Sequence, residues 1–129
     1  GEFSHVRVIG PLREYTQVEV SEDDARVLGI NPPMRNSGML QDSESVWVGG
    51  PKGEKFIKNC CIKANRHIHC NTLDNIGHNN RDIVKVKFND IIIDNVHIKM
   101  GDKYKLEMHI DKSDAEKYGI DNGDYIELE

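Results

Sequence analysis

The chain has 129 residues, of which 37% are hydrophobic and 30% are charged, and its net charge is −5. This composition suits one folded domain, or two very small domains that share a core, and it argues against disorder. The acidic balance argues against general nucleic-acid binding, which needs a basic face. No apolar run approaches the roughly 18 residues that span a membrane, so neither nucleic acid nor a membrane is an expected partner.

The first half of the chain predicts short strands separated by tight turns. Ser21 and the three acidic residues after it predict the start of a short helix, and Gly29 predicts its end. Apolar or alternating runs predict strands at 6–9, 16–20, 45–49 and 55–61. The glycine-rich turn at 49–53 predicts that the last two strands form a hairpin.

The second half continues the same pattern. Strands are predicted at 61–70, 82–88, 91–100, 104–110 and 124–129. A helix of one or two turns is predicted between Asn71 and Gly77, and another at 113–118, which Gly119 ends. Short strands with very short helices at the turns predict a mainly β fold with short α-helices, arranged as small β-barrels.

An internal repeat relates two segments whose positions differ by 42 residues. The segment that begins at His67 aligns without a gap with the segment that begins at His109, and Gly77 then matches Gly119. A weaker third copy begins at Glu19. Repeated units of this kind pack together to close a core, and equivalent positions tend to face a shared cleft.

Three histidines are the first candidate site. His67 and His69 are two residues apart on a predicted strand, so their side chains should point the same way, and the repeat adds His109. Three imidazoles with an open fourth position are typical of a catalytic zinc site. The alternative is that alternating histidines are half-buried, hydrogen-bonded side chains without a metal. Cys70 could touch the metal, or it could be a small buried residue.

Arginines beside glycines are the second candidate site. Arg7 and Arg13 flank a Gly-Pro turn, and Arg35 precedes another turn. Arginine can bind phosphate through a bidentate fork, although an isolated surface arginine is usually only solvated. The sequence contains no serine-hydrolase elbow, P-loop or dinucleotide-binding fingerprint.

Several segments together resemble the PduL-type phosphotransacylases, which are phosphate propanoyl- or acetyltransferases often tied to bacterial microcompartments. The matching segments are VRVIGPLR (6–13), TQVEVS (16–21), DAR (24–26), LGI (28–30), PMRNSG (33–38), RHIH (66–69), DNV (94–96) and LEMHID (106–111). They cover nearly the whole chain after its first few residues. The resemblance implies two similar β-barrels with short helical caps and an active site between them.

The resemblance also implies roles for particular residues. His67, His69 and His109 would hold one zinc, and Glu19 would be a ligand of a second zinc. Arg13 would bind phosphate, while Arg7 and Ile9 would contact coenzyme A. The implied reaction interconverts acyl-CoA (propanoyl or acetyl) and phosphate with acyl phosphate and CoA. Homo-oligomers and contacts with microcompartment proteins are further expectations.

The chain departs from the family pattern in two ways. The family carries another H-x-H pair in an N-terminal part, and nothing in this sequence matches that pair. We therefore expect 5–61 to be the C-terminal part of a first barrel and 62–129 a second barrel. This chain alone should then have little or no activity. The composition of residues 1–4, Gly-Glu-Phe-Ser, indicates an expression-tag remnant. Glu116 replaces an asparagine that the family usually has near coenzyme A, and its carboxylate would repel an anionic ligand.

Two other functions are compatible with the sequence. One is a non-catalytic zinc-binding or structural barrel associated with a microcompartment, and the other is a degenerate paralogue with a regulatory or scaffolding role. Cys60, Cys61 and Cys70 are an odd set and a poor disulfide framework, which favours a reducing compartment. The expected location is the bacterial cytoplasm or a bacterial microcompartment.

Overall fold

A computed structural model describes residues 1–129 and divides them into two compact units, Gly1–Ala64 and Asn65–Glu129. The chain is mostly β, with two short α-helices and a curled, half-barrel sheet, which confirms the predicted mainly β, barrel-like class. The division falls after Ala64. The assignment of 5–61 and 62–129 to two barrels stays a prediction.

Unit 1 is built around one long strand. Its elements are β1 (Val18–Glu19), α1 (Glu22–Leu28), β2 (Met34–Arg35), β3 (Glu44–Gly50) and β4 (Gly53–Ala64). β3 pairs with β4 as an antiparallel hairpin, and β1 and β2 pair with β4 in parallel. The pairing confirms the predicted hairpin, although β4 runs three residues beyond its predicted end at Cys61.

The most deeply buried hydrophobic residues of unit 1 lie on β4 and α1. Cys60, Cys61 and Ile62 on β4 are almost completely buried, as is Ala25 on α1. The side chain of Ser21 caps α1 by accepting a hydrogen bond from Asp24 N at 3.0 Å. Gly29 ends α1 with a left-handed φ of 71°, a conformation that costs glycine little. Both ends of this helix agree with the sequence prediction.

Unit 2 contains one five-stranded sheet. Its elements are β5 (His67–Cys70), a 3-10 helix (Thr72–Asp74), β6 (Ile83–Phe88), β7 (Ile91–Met100), β8 (Glu107–His109), α2 (Lys112–Tyr118) and β9 (Glu127–Leu128). The strand order is β8-β5-β7-β6-β9. β5 pairs in parallel with β7 and antiparallel with β8. The buried core of this sheet consists of Ile68, Cys70, Val84, Val86, Ile93, Val96 and Ile98.

Two turns of unit 2 repeat the same hydrogen bonds at matching positions. The carboxylate of Asp82 accepts from Asn79 N at 2.8 Å, and that of Asp124 accepts from Asp121 N at 2.8 Å. The residue before each aspartate has a positive φ in both turns. The helices α1 and α2 also share one pattern, with a polar N-cap and a left-handed glycine at the C-terminus. These features give the sequence repeat a structural basis.

Two strand predictions are wrong, and the other predicted strands differ from the structure only in their bounds. Residues 6–9 form no strand, and Val8 is 93% exposed, because apolar alternation makes a strand only when a neighbouring strand supplies hydrogen bonds. The strand predicted at 61–70 is two strands, β4 and β5, separated by Asn65 and Arg66 where the chain passes from unit 1 to unit 2.

Candidate metal centre

Two histidines of the candidate centre share one face of β5. Ile68 and Cys70 are buried in the core, while His67 and His69 are only partly buried on the opposite face. Alternation along the strand produces this arrangement, as the sequence predicted. The ring centroids of His67 and His69 are 4.6 Å apart.

The third histidine comes from the neighbouring strand. The antiparallel register pairs His67 on β5 with His109 on β8. The ring centroid of His109 lies 5.1 Å from that of His67 and 4.6 Å from that of His69. One potential ligand nitrogen from each of the three residues lies within 4.8 Å of the others. The three predicted histidines are therefore brought together, and a set of three imidazoles suits zinc with one coordination position open.

Burial keeps His69 neutral. Burial is the largest of several effects that lower the pKa of His69 from 6.5 to about 4. The neighbouring His67, His109 and Lys99 also lower this pKa. Glu107 opposes the shift. At neutral pH the His69 imidazole is therefore uncharged, which is the form that binds a metal ion.

Hydrogen bonds orient the other two rings. His67 Nδ1 lies 2.7 Å from Asn65 O, and a carbonyl can only accept, so Nδ1 carries the proton and Nε2 remains as a ligand atom. His109 Nε2 lies 3.2 Å from Glu107 Oε1. Donation from Nε2 to that carboxylate leaves His109 Nδ1 as the ligand atom. Partners of this kind fix the tautomer of a metal-binding histidine.

An aromatic ring covers His69. Tyr104 stacks on the imidazole with a centroid distance of 4.3 Å and an interplanar angle of 10°. A Cβ atom on Gly101 would lie 2.7 Å from Tyr104 Cε2, so the absence of a side chain at Gly101 makes room for the ring. Neither Tyr104 nor Gly101 was predicted to lie at this site. Glu107 could have been found, because it is two residues from His109 and alternation places both on one face of β8.

A cavity of about 1270 Å³ lies beside His109 within unit 2. Ile68, Met108 and Leu128 contribute apolar lining, and Glu116 adds a carboxylate. The prediction that this carboxylate weakens an anionic ligand stays a prediction.

The remaining predicted site residues belong to unit 1. Glu19 lies on β1 and accepts a hydrogen bond from Gln17 Nε2 at 3.0 Å. Arg13 donates from an Nη atom to the Tyr15 hydroxyl at 2.7 Å. Arg7 and Ile9 are exposed and lie before the first strand. The structure thus brings together the three histidines within unit 2, and the roles of Glu19, Arg13, Arg7 and Ile9 stay predictions.

Comparison with known proteins identifies one family. A family model described as phosphate propanoyltransferase matches residues 1–123. The chain is 42% identical over 128 residues to the phosphate propanoyltransferase of Escherichia fergusonii, and the match covers 95% of this chain and 61% of that protein. It is 37% identical over 132 residues to the protein of the same name from Thermotoga maritima, covering 98% of this chain and 63% of that protein. The chain therefore spans about three fifths of the length of the curated relatives that it matches. No helix is both long and apolar enough to cross a membrane.

Proposed function

We propose a function from the fact that the chain belongs to the phosphate propanoyltransferase family. The proposed reaction exchanges phosphate and coenzyme A on a short acyl group, propanoyl or acetyl. A phosphate oxygen bonds to the thioester carbonyl carbon while the carbon–sulfur bond breaks. CoA departs with the proton that phosphate loses, and the acyl phosphate remains. The reverse reaction makes acyl-CoA. The observation that carries the proposal is the convergence of three imidazoles from adjacent strands.

His67, His69 and His109 are the proposed ligands of one zinc ion, and Glu19 is a proposed ligand of a second. When bound, zinc supplies a positive charge that stabilises developing negative charge on oxygen or sulfur. The neutral state of His69 and the hydrogen bond from His67 Nδ1 to Asn65 O support this assignment.

Arg13 is the proposed phosphate-binding residue, because a guanidinium can donate two parallel hydrogen bonds to phosphate oxygens. Its hydrogen bond to the Tyr15 hydroxyl would orient the guanidinium for that contact. Arg7 and Ile9 are proposed to contact coenzyme A, the arginine through charge and the isoleucine through its exposed apolar side chain.

The burial of the three cysteines supports direct transfer of the acyl group, without a covalent acyl-enzyme intermediate. Cys60, Cys61 and Cys70 are unpaired and buried. Burial raises the pKa of all three thiols, and that of Cys61 to about 11, so they are poor nucleophiles at neutral pH. A labelled propanoyl group trapped covalently on the protein during turnover would contradict direct transfer.

Ligand binding to the 129-residue chain tests the proposal. Titration calorimetry of the zinc-loaded chain with inorganic phosphate and with propanoyl-CoA should give saturable binding. Arg13→Gln should weaken phosphate binding by about tenfold, as expected for loss of a charge-assisted pair. Arg26→Gln is the matched control, because Arg26 is exposed and pairs only with acidic residues of its own helix. A chain that binds neither inorganic phosphate nor propanoyl-CoA would contradict the proposed function.

Turnover is a separate measurement. Because the chain has one H-x-H pair where the resemblance implies two, we expect little or no phosphate-dependent release of CoA from propanoyl-CoA by this chain. Rapid release would contradict that expectation. The proposed location is the bacterial cytoplasm or a bacterial microcompartment, and unpaired thiols are usual in a reducing compartment.

A further inference from the structure

Arg66 is the immediate neighbour of His67 and makes a bidentate ion pair with Asp114. Its Nε donates to Asp114 Oδ2 at 2.7 Å, and an Nη atom donates to Asp114 Oδ1 at 3.1 Å. The side chains of Arg66 and Asp114 are only 17% and 16% exposed. A bidentate pair in this setting fixes both distance and orientation, which a single contact between exposed charges does not.

The arginine is anchored to β7 at the same time. Its backbone carbonyl accepts a hydrogen bond from His97 N at 2.8 Å, and its second Nη atom donates to Asp94 O at 3.0 Å. The guanidinium carbon also lies 5.9 Å from the centroid of the Tyr118 ring on α2. Arg66 thus connects the middle of the sheet with α2.

The aspartate lies just beyond the third histidine. Asp114 is in the first turn of α2, whose N-cap Asp111 follows His109 by two residues. β8 is an edge strand that is held to β5 by a register of only three residue pairs. The placement of His109 therefore depends strongly on how the adjoining helix is attached to the rest of unit 2.

We propose that the Arg66–Asp114 pair positions His109 against His67 and His69 for metal binding. The inference rests on the zinc site of the proposed function. Arg66 and Asp114 are positioning residues and are not ligands. Loss of the pair would let β8 and the start of α2 move relative to β5, which would widen the separation of the imidazoles.

Zinc affinity of the whole 129-residue chain tests the proposal. Arg66→Lys keeps the positive charge and loses the fork, while Asp114→Asn keeps the shape and loses the negative charge. Each should raise the zinc Kd by about tenfold or more, the range found for residues that support metal ligands. Arg26→Lys is the matched control, since it changes an exposed ion pair to Asp23 in unit 1 and should leave the Kd unchanged. Asp114→Glu is the mildest change, and its zinc Kd is measured if either of the other two variants does not fold.

Two further readouts separate positioning from stability. The unfolding free energy of the metal-free variants reports on stability, and the visible spectrum of the cobalt(II) form reports on ligand geometry. We expect a changed spectrum and a raised zinc Kd in variants that remain folded. Variants that lose stability but keep the wild-type Kd and spectrum would overturn the proposal while leaving the zinc site intact. A wild-type chain that binds no zinc would overturn both this inference and the metal site of the proposed function.

Discussion

His67 and His109 lie directly opposite each other in the ladder between β5 and β8, with ring centroids 5.1 Å apart. Side chains directly opposite in an antiparallel pair project from the same face of the sheet. A register slip of one residue would turn His109 to the other face and separate it from His67. The candidate centre therefore depends on the pairing of a short edge strand.

Replacing Gly101 by alanine should displace Tyr104 from His69. The new Cβ would lie 2.7 Å from the Tyr104 ring, so the ring must move, at a cost of about 1–3 kcal/mol in unfolding free energy. The proton NMR shifts of the His69 ring, which the stacked tyrosine perturbs, should move toward those of an uncovered histidine. Gly50→Ala is the control, because a Cβ there meets nothing within 4 Å. Unchanged His69 shifts in Gly101→Ala would refute the prediction.

Matching positions in the two repeated turns should respond differently to substitution, as measured by the free energy of unfolding. Gly123 has a φ of 91° and Arg81 a φ of 73°, both in the region that favours glycine. Gly123→Ala should lower the unfolding free energy by about 1 kcal/mol, because a side chain is strained there. Arg81→Gly should change it by less than about 1 kcal/mol, because relief of strain offsets the greater backbone freedom of glycine in the unfolded chain. Urea unfolding measures both, and a larger loss for Arg81→Gly would contradict the prediction.

The stability of the metal-free chain should fall on mild acidification. The pKa of His69 has its ordinary value of 6.5 in the unfolded chain. In the folded chain it is about 4, chiefly because of burial. Between these values the unfolded chain binds a proton that the folded chain excludes, so stability rises with pH across this window and is lost as pH falls through it. Urea unfolding in EDTA over this range should show a flatter pH dependence for His69→Gln than for wild type. Equal slopes would count against the pKa shift.

The sequence was informative where the cause of structure is local. The Ser21 cap predicted the start of α1, and Gly29 and Gly119 predicted the C-terminal ends of α1 and α2, because caps act within one turn. Alternation placed His67 and His69 on one face, and the repeat supplied His109. The strand predicted at 6–9 failed because its apolar pattern says nothing about whether a neighbouring strand is available.

The parts that sequence could not predict are those that depend on distant contacts. Arg66 and Asp114 are separated by 48 residues, and no local pattern joins them. The stacking of Tyr104 on His69 requires the strand register together with the empty space at Gly101. These contacts surround the predicted ligands, so local patterns predicted candidate ligands without the residues that orient them.

Zinc content tests the central claim most directly. After loading with excess zinc and exhaustive dialysis, the wild-type chain should retain about one zinc ion per molecule, held by His67, His69 and His109, because Glu19 is the one proposed ligand that this chain offers to the second zinc. His67→Ala and His109→Ala should retain almost none, while His78→Ala, which alters a histidine outside the cluster, should retain the wild-type amount. A wild-type chain without zinc, or histidine variants that keep it, would contradict the account.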